Sequence, residues 1–387
     1  MRGILVKVTI ISYDLWKVKV PTGRTIGDCT CHYDELDLLV VSLKTDQGLD
    51  GWGFGETVSS GVFTKPAPWI TPMPSLAQIR RDFDKDIWPA LQGKNPFQVK
   101  LHRPALFSGH SFTSVALRIA LWDLMAQVAE LPLYQFLGAR ADHNRVRAYA
   151  SGLDLPLSEE EAIGLFKSFV HRGFTAVKVK VGHPDVQRDL RRLQIVREAV
   201  GEQVEMAIDA NEAWTYEEAL ERIRFFQKEG LRVAYVEDPL PRTDIDGFVR
   251  LNSAIDLDVV GHDYIVDLQE LRHFVEQKAF SRLRVMADPD HALACADIAT
   301  EFGVPLVFGN SMFELSVHAA AALPRVDRLE FSDLAWNLFP RSPVRFEDGY
   351  AIAPSQPGHG LAPHLEMLER YSYPEASVAS GPPSSHG

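Results

Sequence analysis

A modified, closed (β/α)₈ TIM-type barrel carrying a smaller α+β capping domain is the fold this sequence predicts, on three observations. First, Lys178-Val-Lys180, Asp209-Ala-Asn211, Glu237 and His262-Asp263 each close a short apolar run, and from Lys180 onward they recur at steps of 29, 28 and 25 residues. A strand, a helix and two connections occupy roughly 30 residues of chain. Second, from Val146 the chain alternates apolar runs of strand length with amphipathic stretches, as a parallel sheet with crossover helices requires. Third, residues 1–140 lack that alternation, with strands first and helices after. An open doubly wound sheet shares the local pattern of the second part. The even spacing, and the lack of a glycine-rich dinucleotide fingerprint after its first strand, favour closure.

Taken in order, Met1–Trp16 alternates apolar and polar residues and reads as a first strand, lacking the unbroken apolar core of a signal peptide. Pro21–Tyr33 reads as a polar loop. Leu36–Lys44 is a second strand, and Gly48-Leu-Asp-Gly51 is a hairpin turn before Trp52-Gly-Phe-Gly-Glu56. Thr57–Pro74, dense in Ser, Gly and Pro, is a second loop. Ser114–Phe136 puts Leu117, Ala120, Leu121, Leu124 and Val128 on one helical stripe. The barrel strands are expected at 146–151, 174–180, 204–210, 233–237, 257–262, 281–287, 304–308 and 327–331, within a domain of 141–345. Residues 346–387 return to the cap and end in a Ser-, Pro- and Gly-rich tail expected to be disordered.

Composition narrows the function classes. The net charge of −12 argues against non-specific nucleic-acid binding, and no apolar stretch reaches the ~20 residues of a membrane helix. Three cysteines in 387 residues suit a reducing cytoplasm rather than a disulfide framework. Cys29-Thr-Cys31-His32 has no second Cys/His pair at zinc spacing, so a structural metal is not expected there.

The chemistry lies in the recurring polar residues. Lys178 and Lys180, two apart on a strand, point to one side; crowding cations together lowers the pKa of one and makes it a general base. A bare Lys-x-Lys is more often a solvated face, and Asp209 alone is more often a helix cap. Asp209 and Glu237 on neighbouring strands repel unless a cation sits between them, and such oxygen-rich sites suit Mg²⁺. Serial order is what turns these weak signals into an active site at one end of a barrel.

The order Lys-x-Lys, Asp-Ala-Asn-x-x-Trp, Glu-Asp-Pro resembles the enolase superfamily, in its mandelate racemase and muconate lactonizing branch. Gly51-Trp-Gly-Phe-Gly-Glu56, Ala116-Leu-Arg-Ile-Ala-Leu-Trp-Asp-Leu124 and Glu314-Leu-Ser-Val-His318 agree. The resemblance implies a capping domain over a modified barrel, Mg²⁺ (or Mn²⁺) at the strand ends, and abstraction of the proton α to a carboxylate. It makes Lys180 the base, with Lys178 beside it, and implies a cytoplasmic homo-oligomer acting on a small acid. For the third metal ligand, usually a carboxylate at the end of the fifth strand, it gives His262, favoured over Asp263.

Two further positions depart from the family. Arg282 aligns where the sixth strand commonly has Asp or Lys, and Asn310 where racemases carry a catalytic His. Asn211 and Asn310 are the expected substrate contacts; His32, Tyr33 and Arg242 are further ones. With no second base, a two-base racemase is disfavoured, and acid-sugar dehydration to a 2-keto-3-deoxy acid is the leading expectation. The alternatives are an epimerase or cycloisomerase of the same superfamily, or a metal-binding relative that has lost catalysis.

Overall fold

The computed structural model describes residues 7–57, 61–64, 72–102, 111–262, 265–286, 288–309, 313–332 and 344–372. Three long antiparallel strands, β1 (Ile10–Gly27), β2 (Cys31–Thr45) and β3 (Asp50–Thr57), form the sheet of the small domain, β2 buried without a break from Leu36 to Leu43, and β4 (Val62–Phe63) pairs with the start of β2. Much of the expected loop Pro21–Tyr33 is therefore strand. Its arm of the β1–β2 hairpin is half-exposed on both faces, so it carries no apolar alternation to read.

The helix Phe112–Val128 lies across this sheet, starting at Ser111, whose hydroxyl accepts the Ser114 N–H. It stops short of the expected Phe136 because Pro132 cannot continue it, and a short second helix, Leu133–Phe136, follows. The alternate glycines of Gly51-Trp-Gly53-Phe-Gly55 permit the contact. A Cβ at Gly53 would stand 1.8 Å from Ala116 O, and one at Gly55 2.1 Å from Phe112 O.

All eight expected barrel strands form: β5 (Arg145–Ser151), β6 (Ala176–Lys180), β7 (Glu205–Asp209), β8 (Tyr235–Glu237), β9 (Asp258–Gly261), β10 (Arg282–Val285), β11 (Leu306–Phe308) and β12 (Val326–Phe331). They pair in sequence, all parallel, and β12 pairs with β5 to close the barrel. Two of the intervening helices begin with reciprocal capping boxes, Ser158 with Glu161 and Thr215 with Glu218. Tyr149, Ala176, Ala207, Tyr235, Val260 and Val307 pack together as a separate apolar cluster on the barrel strands.

After β12 the chain returns to the small domain. Tyr350–Ile352 pairs antiparallel with β5, and the His359 N–H donates to Asp123 Oδ1 at 2.8 Å. The expected tail, Pro374–Gly387, lies outside the described residues. No helix among them is long and apolar enough to cross a membrane.

Candidate active site

Lys180, Asp209 and Glu237 are each the last residue of their strand, and the register aligns Lys180 with Asp209 and Asp209 with Glu237. Strand periodicity then brings Lys178 inward with Lys180. Lys178 Nζ bonds Glu237 Oε1 and lies 3.1 Å from Asp209 Oδ2 and 3.0 Å from Glu330 Oε1. Lys180 Nζ lies 2.6 Å from Asp209 Oδ2 and 2.8 Å from Asn211 Oδ1. Across the barrel, Arg284 bridges Glu237 and Glu330 at 2.7 and 2.6 Å. All these ionisable groups are buried. Burying them costs several kcal/mol per ion before pairing, so such a cluster is weak evidence for stability; its position at the strand ends points to chemistry.

The electrostatics follow from that crowding. Burial, the largest influence, and the neighbouring Lys178 would lower the Lys180 pKa, but the carboxylates of Asp209, Asp28 and Glu330 together hold the ammonium above its usual range. Lys178 is raised further, since three carboxylates together overcome burial and Arg284. The lowered lysine pKa expected from a pair of cations is therefore not found, because each lysine faces carboxylates as well as its twin. Asp209, despite burial, is held well below the carboxylate range by Lys178 and Lys180. Glu330, despite burial, is brought down to about 2 by Arg284 and Lys178. Glu237 goes the other way: burial, with Asp209 and Glu330 adding to it, pushes it well above normal.

A hard cation fits here. Carboxylate oxygens of Asp209, Glu237 and Asp238 lie within 4.8 Å of one another, all three residues buried. Glu237 Oε2 is buried with no hydrogen-bond partner among the described residues. An all-oxygen set with an unsatisfied carboxylate suits Mg²⁺ or Mn²⁺.

Comparison with known proteins agrees with this geometry. Residues 162–367 match the family model "Enolase C-terminal domain-like", and residues 8–138 match that of the N-terminal domain of mandelate racemase / muconate lactonizing enzyme. The chain belongs to the mandelate racemase and muconate lactonizing branch of the enolase superfamily. It is 26% identical to the 3,6-anhydro-alpha-L-galactonate cycloisomerase of Streptomyces coelicolor, over 92% of this chain and 97% of the relative. It is 27% identical to the arabinonate dehydratase of Saccharolobus solfataricus, over 87% and 91%. Among solved structures, a protein of the mandelate racemase type from Mesorhizobium loti superposes with a TM-score of 0.84 at 33% identity, over 97% of this chain and 99% of that one. The L-talarate dehydratase of Polaromonas sp. JS666, complexed with Mg and L-glucarate, gives 0.79 at 25% identity, over 95% and 98%.

Against this superfamily frame, two sequence expectations shift. His262 does not join the carboxylate group. Its Nε2 lies 2.7 Å from Glu212 Oε1 and its Nδ1 3.8 Å from Asp238 Oδ2. Among the described residues it is Asp238 that joins Asp209 and Glu237: its backbone is left-handed, with φ 43°, so strand alternation stops at Glu237 and the two neighbouring carboxylates stay together. Arg282 opens β10 and pairs with Asp258 and Asp327, two residues nearer the barrel floor than Arg284, which reaches the site. The two-residue strand period leaves such a slip invisible in sequence.

Other placements are simpler. Asn211 holds Lys180, and Arg242 Nε lies 2.7 Å from Glu212 Oε1, in the layer around His262. Asp288 caps the helix Pro289–Phe302 and pairs with Arg118 of the small domain. Asn310 and Asp263 lie outside the described residues, as do 58–60 and 65–71 of the second cap loop. Sequence reading missed Asp238, Arg284 and Glu330. The acid pair in Glu237-Asp238-Pro239 and the alternation Arg282-Leu-Arg284 were the available signals.

Proposed function

We propose that the protein is a divalent-metal-dependent acid-sugar dehydratase, taking the proton α to a carboxylate and eliminating the β-hydroxyl to give a 2-keto-3-deoxy acid. The observation that carries this reading is the one-sided placement of the base. Both lysines stand on β6, and β10, four strands away and so across the eight-stranded barrel, presents Arg284 (pKa above ~12), which cannot exchange a proton. A racemase that delivers protons from both faces needs a base there.

Asp209, Glu237 and Asp238 would hold the cation, which supplies positive charge against a substrate carboxylate and makes its α-proton more acidic. Lys180, nearer the mouth than Lys178 and oriented by Asn211, is the base: the Asp209 carboxylate that holds it charged would turn to the cation, leaving the neutral amine to accept that proton. The resulting ammonium is then the acid within reach of a hydroxyl leaving from the same face, so the C–O bond breaks with loss of water. Lys178, enclosed by three carboxylates, stays charged and fixes the site's geometry. Superfamily relatives include dehydratases, cycloisomerases and epimerases, so the product decides. Incubation with an acid-sugar library and Mg²⁺ in D₂O, followed by NMR, should yield a keto acid from one diastereomer. Clean α-deuterated substrate of inverted configuration, with no keto acid from any compound, would replace dehydration by epimerisation.

A further inference from the structure

The turn between β1 and β2 seats itself on the barrel mouth. Gly27 donates its N–H to Leu153 O at 2.8 Å, and Cys29 Sγ lies 3.2 Å from Ala210 O and 3.5 Å from Asn211 O. Asn211 is also the residue that accepts from Lys180 Nζ, so one side chain separates this turn from the base. The approach is close enough that a Cβ on Gly182 would sit 3.3 Å from Cys29 Cβ.

Within the turn, Asp28 Oδ1 accepts the N–H groups of Thr30 and Cys31 at 2.6 and 3.2 Å, which fixes the carboxylate in an Asx-type arrangement. Asp28 is half-buried, and its charge acts on both Lys180 and Tyr33. Tyr33 is also acted on by Glu56. Arg24, the cation acting on Tyr33, directs its guanidinium to the backbone carbonyls of Thr25 and Gly152.

We propose that Asp28, together with Glu56, filters the far end of the substrate by charge: the cleft takes sugar acids with one carboxylate and a neutral, hydroxylated distal chain, and turns away those with a second carboxylate. This rests on the acid-sugar reading. With the α-carbon at Lys180, the barrel interior beneath is filled by Tyr149, Tyr235 and their neighbours, so the distal chain extends toward the cap. A hydroxyl there donates to the Asp28 carboxylate, whereas a second carboxylate meets a like charge where water screens it poorly.

Calorimetric binding of a six-carbon aldonate, and of the aldarate of the same configuration, to the Mg²⁺-loaded protein tests the filter apart from turnover. The aldonate should bind more tightly by at least about tenfold at low salt, and the gap should narrow as ionic strength rises. Asp28→Asn, which keeps an Oδ1 acceptor for the turn, and Glu56→Gln should each shrink that gap severalfold. An aldarate that binds as tightly as the aldonate, or a gap that neither variant changes, overturns the filter. Selective aldonate binding with no acid sugar turned over overturns the dehydratase reading and leaves the filter standing; absence of binding by either compound overturns both.

Discussion

Glu237 and Asp238 are sequence neighbours, and on a continuing strand their side chains would part to opposite faces. The left-handed backbone at Asp238 keeps them together, while His262 turns to Glu212. A ligand set of three carboxylates is better matched to Mg²⁺ than one containing imidazole. Asp238→Ala should accordingly weaken Mg²⁺ binding, measured by calorimetry, by more than about tenfold, the lower end of what even indirect partners of a ligand cost. His262→Asn should cost less. The reverse ranking would return His262 to the metal. Lys178, Lys180, Asp209 and Glu237 were legible in the sequence because strand period and serial order constrain them. Asp238 was not, because one torsion decided it, and nothing in the residue type announces that torsion.

At the level of elements, the barrel strands were legible because each strand–helix unit needs a fixed length of chain and buries an apolar run. The β1–β2 arm was not, since a strand half-exposed on both faces has no alternation to show. The junction between domains was equally hidden. There His318 accepts the Tyr134 N–H through Nδ1 at 3.2 Å and meets His359 O through Nε2 at 2.9 Å, the arrangement of a neutral imidazole. Burial pushes its pKa down to about 3. An unfolded histidine titrates near ~6.5, so between those values the unfolded chain binds a proton that the folded one refuses. This contribution is intact above pH ~6.5 and is lost as pH falls toward ~3, at about 1.4 kcal/mol per pH unit. Denaturant unfolding of the native protein and His318→Gln across pH 4–7 should show a shallower acid decline in the variant. Equal slopes would remove His318 from the account of acid lability.

Over the whole molecule, division of labour follows from topology. The barrel holds the lysines, the carboxylates and Arg284 at its strand ends, and the small domain brings the turn at Cys29 down onto the loop after β7. Sequence spacing could locate the barrel's share, because its residues sit at repeating positions of a repeating fold. The cap's share depends on which turn touches which loop across some 180 residues of chain, between Cys29 and Ala210, and no local pattern encodes that contact. In the proposed mechanism Lys180 removes the α-proton while the buried carboxylates hold the metal independently of it. Lys180→Met tests this most directly, through deuterium exchange of the substrate α-proton in D₂O alongside Mg²⁺ titration. Mg²⁺ binding should stay within a fewfold of native and exchange should slow by at least about 10³-fold, as for a group that acts in the transition state. Exchange persisting at the native rate in Lys180→Met, with Mg²⁺ bound, would contradict it.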